Sequence, residues 1–159
     1  MVLSDQDIKK YLRSGKIVIT PKPNLKTQLG SCSIDLHLGN NFLVFECHAR
    51  EAIIDLKERV DLKKIMRTVR IKNNESFTMQ PGEFALASTR ENLKIDNTLM
   101  ARLEGRSSLA RLGILVHSTA GLFDAGWNGV PTLELGNLGK LPVKLYPGMI
   151  ICSFSFSEL

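Results

Sequence analysis

A chain of 159 residues with 43% hydrophobic and 23% charged content has the size and make-up of one globular domain, spanning residues 1–159. Its apolar runs are short, as at 149–152, and the opening Met-Val-Leu-Ser-Asp-Gln-Asp lacks a signal peptide's basic-then-apolar order. A cytoplasmic location with no membrane partner is therefore expected. The net charge of +5 suits a polyanionic ligand, but basic residues are dispersed and only 6% of positions are aromatic, which argues against nucleic acid as partner.

Residues 4–14 predict a short amphipathic helix. Ser4 is its N-cap, Asp5 and Asp7 stand in the first turn, and Ile8, Tyr11 and Leu12 share a face. Gly15 ends it just beyond Arg13. Residues 16–20 alternate as a strand and stop at Pro21-Lys22-Pro23. Residues 33–38 alternate again, Gly39-Asn40-Asn41 reads as a turn, and 42–45 resume as a strand. The more polar stretch 55–70 holds a short helix or a long insertion. Pro81-Gly82 is a turn opening a strand over 83–89, and Pro147-Gly148 does the same for 149–156. Many short strands punctuated by Gly and Pro, after one helix, predict a mainly β fold, a jelly-roll-like sandwich or barrel. Cys32, Cys47 and Cys152 form no Cys-x-x-Cys pair and no ligand set with His37, His48 and His117. Free, partly buried thiols are expected rather than disulfides or a zinc site.

The chemistry concentrates in residues 102–137. Gly105-Arg106-Ser107-Ser108-Leu109-Ala110-Arg111 places a glycine and two hydroxyls at a predicted helical turn between two arginines, a composition fit for an anion cradle. A serine-capped surface helix with two solvated arginines has the same residues. In His117-Ser118-Thr119-Ala120-Gly121-Leu122-Phe123-Asp124-Ala125-Gly126-Trp127, the glycines permit sharp turns or close ligand approach. Asp124 reads either as an acceptor for a sugar hydroxyl or as a turn aspartate. Trp127 walls a base pocket or packs in the core. His117, placed on a strand face, reads as a satisfied structural histidine rather than a catalytic one. Period-two alternation over Pro131-Thr132-Leu133-Glu134-Leu135 puts Thr132 and Glu134 on one face. A carboxylate there is either solvated or a pocket acid, and partial burial is the setting that suits a carboxyl to proton transfer.

Taken together these segments resemble the dCTP deaminase family, whose fold is shared with trimeric dUTPases. The resemblance is carried by Leu3-Ser4-Asp5-x-Asp7-Ile8, Cys32-Ser33-Ile34-Asp35-Leu36 and Pro81-Gly82-Glu83-Phe84. It is strongest in GRSSLAR, HSTAG, DAGW and TLEL, which stand in the family's order and spacing. The resemblance implies a dUTPase-type fold and a homotrimer with active sites shared between subunits. It implies Glu134 as proton shuttle, Ser107 and the Ala120 carbonyl as holders of the attacking water, and Arg111 as support. It implies that Arg106, Ser107, Ser108, Leu109, Ala110 and Arg111 bind substrate, largely its phosphates. Asp124 would meet the deoxyribose, and Thr132, Leu133 and Glu134 the cytosine. Mg2+ is expected to arrive on the triphosphate, with no zinc.

Glu134 favours deamination, since dedicated dUTPases usually carry an apolar residue there. The small and apolar residues at Ala120-Gly121-Leu122 resemble members that both deaminate dCTP and cleave the triphosphate to dUMP, ammonia and pyrophosphate. A deaminase that stops at dUTP, a dUTPase, and a non-catalytic trimeric nucleotide-binding module are the alternatives. The family continues with a C-terminal tail bearing Tyr, Lys and Gln residues that closes over the nucleotide. The present sequence ends at Phe156-Ser157-Glu158-Leu159, without that expected lid.

Overall fold

The computed structural model describes residues 1–46, 53–72 and 74–159; Cys47 and His48 lie outside the described residues. The first element is helix α1, Asp5–Ser14. The Ser4 side chain accepts from the Asp7 N–H while the Asp7 carboxylate accepts from the Ser4 N–H, so two otherwise orphaned donors are satisfied reciprocally. Gly15 closes the helix in the left-handed region at φ 78°. Ile8 is buried from this helix, with Tyr11 and Leu12 packed beside it on the core, as the apolar spacing predicts.

Almost all that follows is strand. In chain order come β1 (Ile17–Thr20), helix α2 (Leu25–Gln28), β2 (Ile34–Phe45), helix α3 (Leu62–Ile65), β3 (Met66–Arg70), β4 (Phe77–Met79) and β5 (Phe84–Thr89). Then follow β6 (Asn92–Ile95), β7 (Leu99–Gly105), the single turn α4 (Ser107–Ala110), β8 (Ile114–Leu115) and β9 (Leu122–Phe123). The last strands are β10 (Asn128–Gly129), β11 (Thr132–Asn137), β12 (Val143–Leu145) and β13 (Ile150–Glu158). The polar stretch 55–70 thus resolves into a short helix running into an edge strand.

The main sheet has the order β8-β11-β5-β2-β13-β7-β9, with β3 also on β2; β1-β6-β10 and β4-β12 form two smaller sheets. Every recorded strand pair is antiparallel. Alternate residues from β2, β5, β7, β11 and β13 fill the core, including Ile34, Leu36, Leu38, Phe42, Leu133, Leu135, Phe154 and Phe156. The fold is mainly β behind one N-terminal helix. Pro81-Gly82 and Pro147-Gly148 open β5 and β13, with both glycines at positive φ.

Two sequence-based expectations need correction here. Gly39-Asn40-Asn41 is not a turn: β2 runs unbroken through it, and its register on β5 shifts between Leu38 and Phe42. The glycine serves close approach instead, because a Cβ at Gly39 would stand 2.9 Å from the Ser88 carbonyl oxygen. The cysteines also differ from expectation: Cys32 is exposed and Cys152 fully buried, both as free thiols. Burial pushes the Cys152 thiol pKa far up, the Glu91 and Asp35 carboxylates add to this, and the Arg106 cation opposes it.

Gly39→Ala is expected to destabilise the fold by about 1–3 kcal/mol, because the backbone of β5 must give way to the added methyl. Urea denaturation of the variant beside the parent chain measures it. A turn glycine open to solvent would give no such loss.

Candidate active site

The cradle begins where β7 ends at Gly105. Arg106 remains extended, at φ −91° and ψ 132°, and its carbonyl accepts from the Leu109 and Ala110 N–H groups at 3.0 and 2.9 Å. Those bonds wind Ser107–Ala110 into one turn with no side-chain cap. Leu109 packs against the core and anchors the turn, while Ser107, Ser108 and Arg111 stay exposed. Gly105, Arg106, Ser107, Ser108 and Ser153 line a shallow pocket of about 370 Å3.

Arg106 is not a loose surface cation. Its Nη1 donates to Asp35 Oδ2, and Asp35 Oδ1 accepts from the Ser153 hydroxyl at 2.6 Å. Asp35 and Ser153 face each other across the β2–β13 ladder, so the strand register sets this contact. Arg111 lies on the other side of the turn, in a cleft of about 710 Å3 shared with Lys140 and Lys144.

Glu134 stands on β11 between the fully buried Leu133 and Leu135, and is itself half-buried. Its Oε2 accepts from the Ser118 N–H at 2.7 Å, and its own N–H donates to the Val116 carbonyl at 3.0 Å. The segment 116–118 therefore clips onto β11 and orients the acid. A charge-assisted bond of this kind holds a carboxylate in one rotamer and leaves its second oxygen available. The alternation predicted for this strand is what the structure shows, with Thr132 exposed beside the acid.

The expected placement of His117 needs correction. It lies in the loop after β8 rather than on a strand, and its Nδ1 is buried without a hydrogen-bond partner, so it is not satisfied. The ring covers Gly121, where a Cβ would come within 3.1 Å of Cε1 and 3.2 Å of the Leu103 carbonyl oxygen; these contacts account for the glycine. Ala120 is exposed beside it. Asp124 is exposed at a turn closed by the Trp127 N–H on the Asp124 carbonyl at 3.1 Å, with Gly126 at φ 76°. Trp127 packs edge-on to Phe123, centroids 4.7 Å apart, which matches the packing alternative.

Within one protomer these residues form two groups. Glu134, Ser118, His117, Ala120 and Gly121 belong to β11 and the loop clipped to it; Arg106, Ser107, Ser108, Asp35 and Ser153 belong to the cradle. The groups share a wall, for Gly121 accepts from the Leu103 N–H of β7 at 2.8 Å, and Gly105 abuts Val116. Among the described residues no recorded hydrogen bond or ion pair joins Glu134 to Ser107 or Arg111. Nor is any group of three His, Cys, Asp or Glu residues placed to hold a metal ion.

This constellation of landmarks has direct counterparts. The family profile described as dCTP deaminase-like matches residues 2–159. The chain belongs to the dCTP deaminase-like family. A protein of Thermomicrobium roseum named dCTP deaminase is 58% identical over 159 residues, covering 100% of this chain and 80% of the relative. One of Dictyoglomus thermophilum named dCTP deaminase, dUMP-forming, is 47% identical over 159 residues, covering 100% and 81%. The crystal structure of a 2'-deoxycytidine 5'-triphosphate deaminase from Agrobacterium tumefaciens shares the fold, with a TM-score of 0.75 at 19% identity. That match covers 99% of this chain and 48% of the other.

Sequence reasoning missed three contributors to the candidate site: Asp35, Ser153 and the Ser118 N–H. Asp35 stood in a segment marked as a landmark, yet its partner lies 71 positions away. Removing that partner with Arg106→Ala leaves a mostly buried carboxylate held by Ser153 alone. The expected cost is about 1–3 kcal/mol of stability, measured by the urea midpoint.

Proposed function

We propose that this chain hydrolytically deaminates dCTP, and that it also cleaves the triphosphate to release dUMP, ammonia and pyrophosphate. The observation that carries the reading is Glu134, a half-buried acid on a core strand, oriented by the Ser118 N–H within the segment that matches the family. With Oε2 engaged, Oε1 is the oxygen that takes a proton from water. The resulting hydroxide adds to C4 of cytosine while Glu134 passes that proton to N3; Glu134 then takes the proton of the new C4 hydroxyl and delivers it to the amino group, so that the C4 carbonyl forms as the C–N bond breaks and ammonia leaves. Water added and ammonia lost leave the uracil ring, and a second water then displaces pyrophosphate from the α-phosphate.

Ser107 and the Ala120 carbonyl are assigned to hold the attacking water, with Arg111 in support. Arg106, Ser107, Ser108, Leu109, Ala110 and Arg111 are assigned to the triphosphate, Asp124 to the deoxyribose, and Thr132, Leu133 and Glu134 to the base. Mg2+ is proposed to travel with the substrate. The cradle's arginines and hydroxyls are phosphate ligands, which fits a metal whose oxygens come from phosphates and water. When bound there, it neutralises phosphate charge. A cytoplasmic site of action fits this substrate class; among the described residues no helix is long and apolar enough to cross a membrane.

Because no recorded hydrogen bond or ion pair joins Glu134 to Ser107 or Arg111 within one protomer, we assign the complete site to a homotrimer in which neighbouring copies supply the missing half. Exposed Leu112 and Leu141, which line the Arg111 cleft, and exposed Leu138, next in the chain to its Gly139, support self-association, since apolar side chains so grouped are what an interface covers. Sedimentation is expected to give three times the 17.7 kDa chain mass. A stable monomer would contradict it.

A second reading, deamination ending at dUTP, has its own support in the Thermomicrobium roseum relative, whose name carries no dUMP-forming label. Product analysis separates the two. Ammonia with dUMP and pyrophosphate is expected; ammonia with dUTP identifies the second reading; dUTP cleavage without ammonia identifies a dUTPase. Binding without turnover identifies a nucleotide-binding module. Glu134→Gln is expected to lower kcat for ammonia release by at least about 100-fold while leaving the Kd for dCTP within a few-fold. Unchanged turnover in that variant would remove Glu134 from the mechanism.

A further inference from the structure

We propose that Asp35 and Ser153 are positioning residues that hold the Arg106 guanidinium ready for phosphate. The inference rests on the reading of the cradle as the triphosphate site. Three observations carry it. Asp35 uses both carboxylate oxygens, Oδ2 for Arg106 Nη1 and Oδ1 for the Ser153 hydroxyl. The carboxylate is mostly buried, with its side chain 18% exposed against 34% for Arg106, so the pair is anchored from the inside and open on the arginine side. Ser153 also lines the pocket with Arg106, Ser107 and Ser108, although it comes from β13 rather than from the cradle segment.

An acid beside an anion site is on its face a liability, because it repels phosphate. Two effects compete. Freeing Arg106 from its counter-ion would restore a full positive charge at a partly exposed position, where solvent screens most of the gain. Against this stands geometry. An untethered arginine loses rotamer freedom whenever it binds, and its planar fork acts only when aligned with two phosphate oxygens. With Nη1 tied to Asp35, the ordering is complete before substrate arrives. Guanidinium has five N–H donors, so one contact to Asp35 leaves the rest of the fork for an oxyanion. Alignment outweighs screened charge here, and that ordering fixes the sign of the test.

Asp35→Asn removes a negative charge next to the cradle, so electrostatics alone predicts tighter phosphate binding; positioning predicts weaker. The Kd for inorganic tripolyphosphate and the KM for dCTP are expected to rise about tenfold, with kcat within about threefold of the parent. Ser153→Ala is expected to move both in the same direction by about two- to threefold. In an Arg106→Ala background, Asp35→Asn should cause no further loss, since the residue acts through the arginine. Asp35→Glu, which keeps the charge on a longer arm, should recover part of the affinity. If Asp35→Asn does not fold, Ser153→Ala and Asp35→Glu read the same two constants.

Tripolyphosphate binding equal to or tighter than the parent's in Asp35→Asn overturns the proposal. So does a loss that persists undiminished without Arg106. In both cases a parent chain that still binds tripolyphosphate and deaminates dCTP leaves the functional reading standing. A parent chain that binds neither ligand sinks both.

Discussion

The register of β2 is the constraint on which the rest depends. Its first half pairs with β13 and its second half with β5 and β3, so one strand joins the two arms of the main sheet. From β5 the ladder passes to β11 and therefore to Glu134; from β13 it passes to β7 and therefore to Arg106. A slip of one residue along β2 would turn its buried face outward and carry Asp35 away from Ser153 and Arg106. The shift between Leu38 and Phe42, with Gly39 against the Ser88 carbonyl, is where the strand changes partners.

Buried polar groups fix that register further. Glu91, 2% exposed, accepts from the His37 N–H at 2.9 Å and meets His37 Nδ1 at 2.6 Å, tying the segment after β5 to β2. Asn137, fully buried at the end of β11, donates to the Met79 and Leu141 carbonyls and accepts from the Gly139 N–H. That set of bonds organises the loop beside the Arg111 cleft, where Gly113 and Gly139 pack backbone to backbone. In a low-dielectric interior such groups are costly when unpaired, so each strongly favours one arrangement of its neighbours.

The candidate site therefore has one half seated in the core and one half carried on a short turn. Leu133 and Leu135 seat Glu134 in the core, and the acid's rotamer is set by a main-chain donor. The cradle is a single uncapped turn on the end of β7, anchored by Leu109 beneath and by the Arg106–Asp35–Ser153 contacts at its start. His117 lies between them with an unpartnered Nδ1, the one buried side-chain polar atom among the described residues without a partner. Unpaired polar atoms are destabilising, so its position is maintained by the packing of its ring over Gly121 rather than by a hydrogen bond.

Short-range chemistry was legible in the linear chain. Ser4, Asp7 and Gly15 bracketed the helix, two Pro-Gly pairs announced β5 and β13, and alternation put Glu134 opposite Leu133 and Leu135. The motif order in residues 105–135 pointed to the family, because local spacing survives in the linear chain. Gly39 and His117 were misread because glycine serves turns and tight strand contacts alike, and because an apolar run beside a histidine does not reveal where its strand stops. Asp35 meeting Arg106 and Ser153, Glu91 meeting His37, and the Ser118 N–H meeting Glu134 were decided only in three dimensions. Each joins residues on different elements, and the position of one element against another follows from sheet register and core packing, which depend on the whole chain at once.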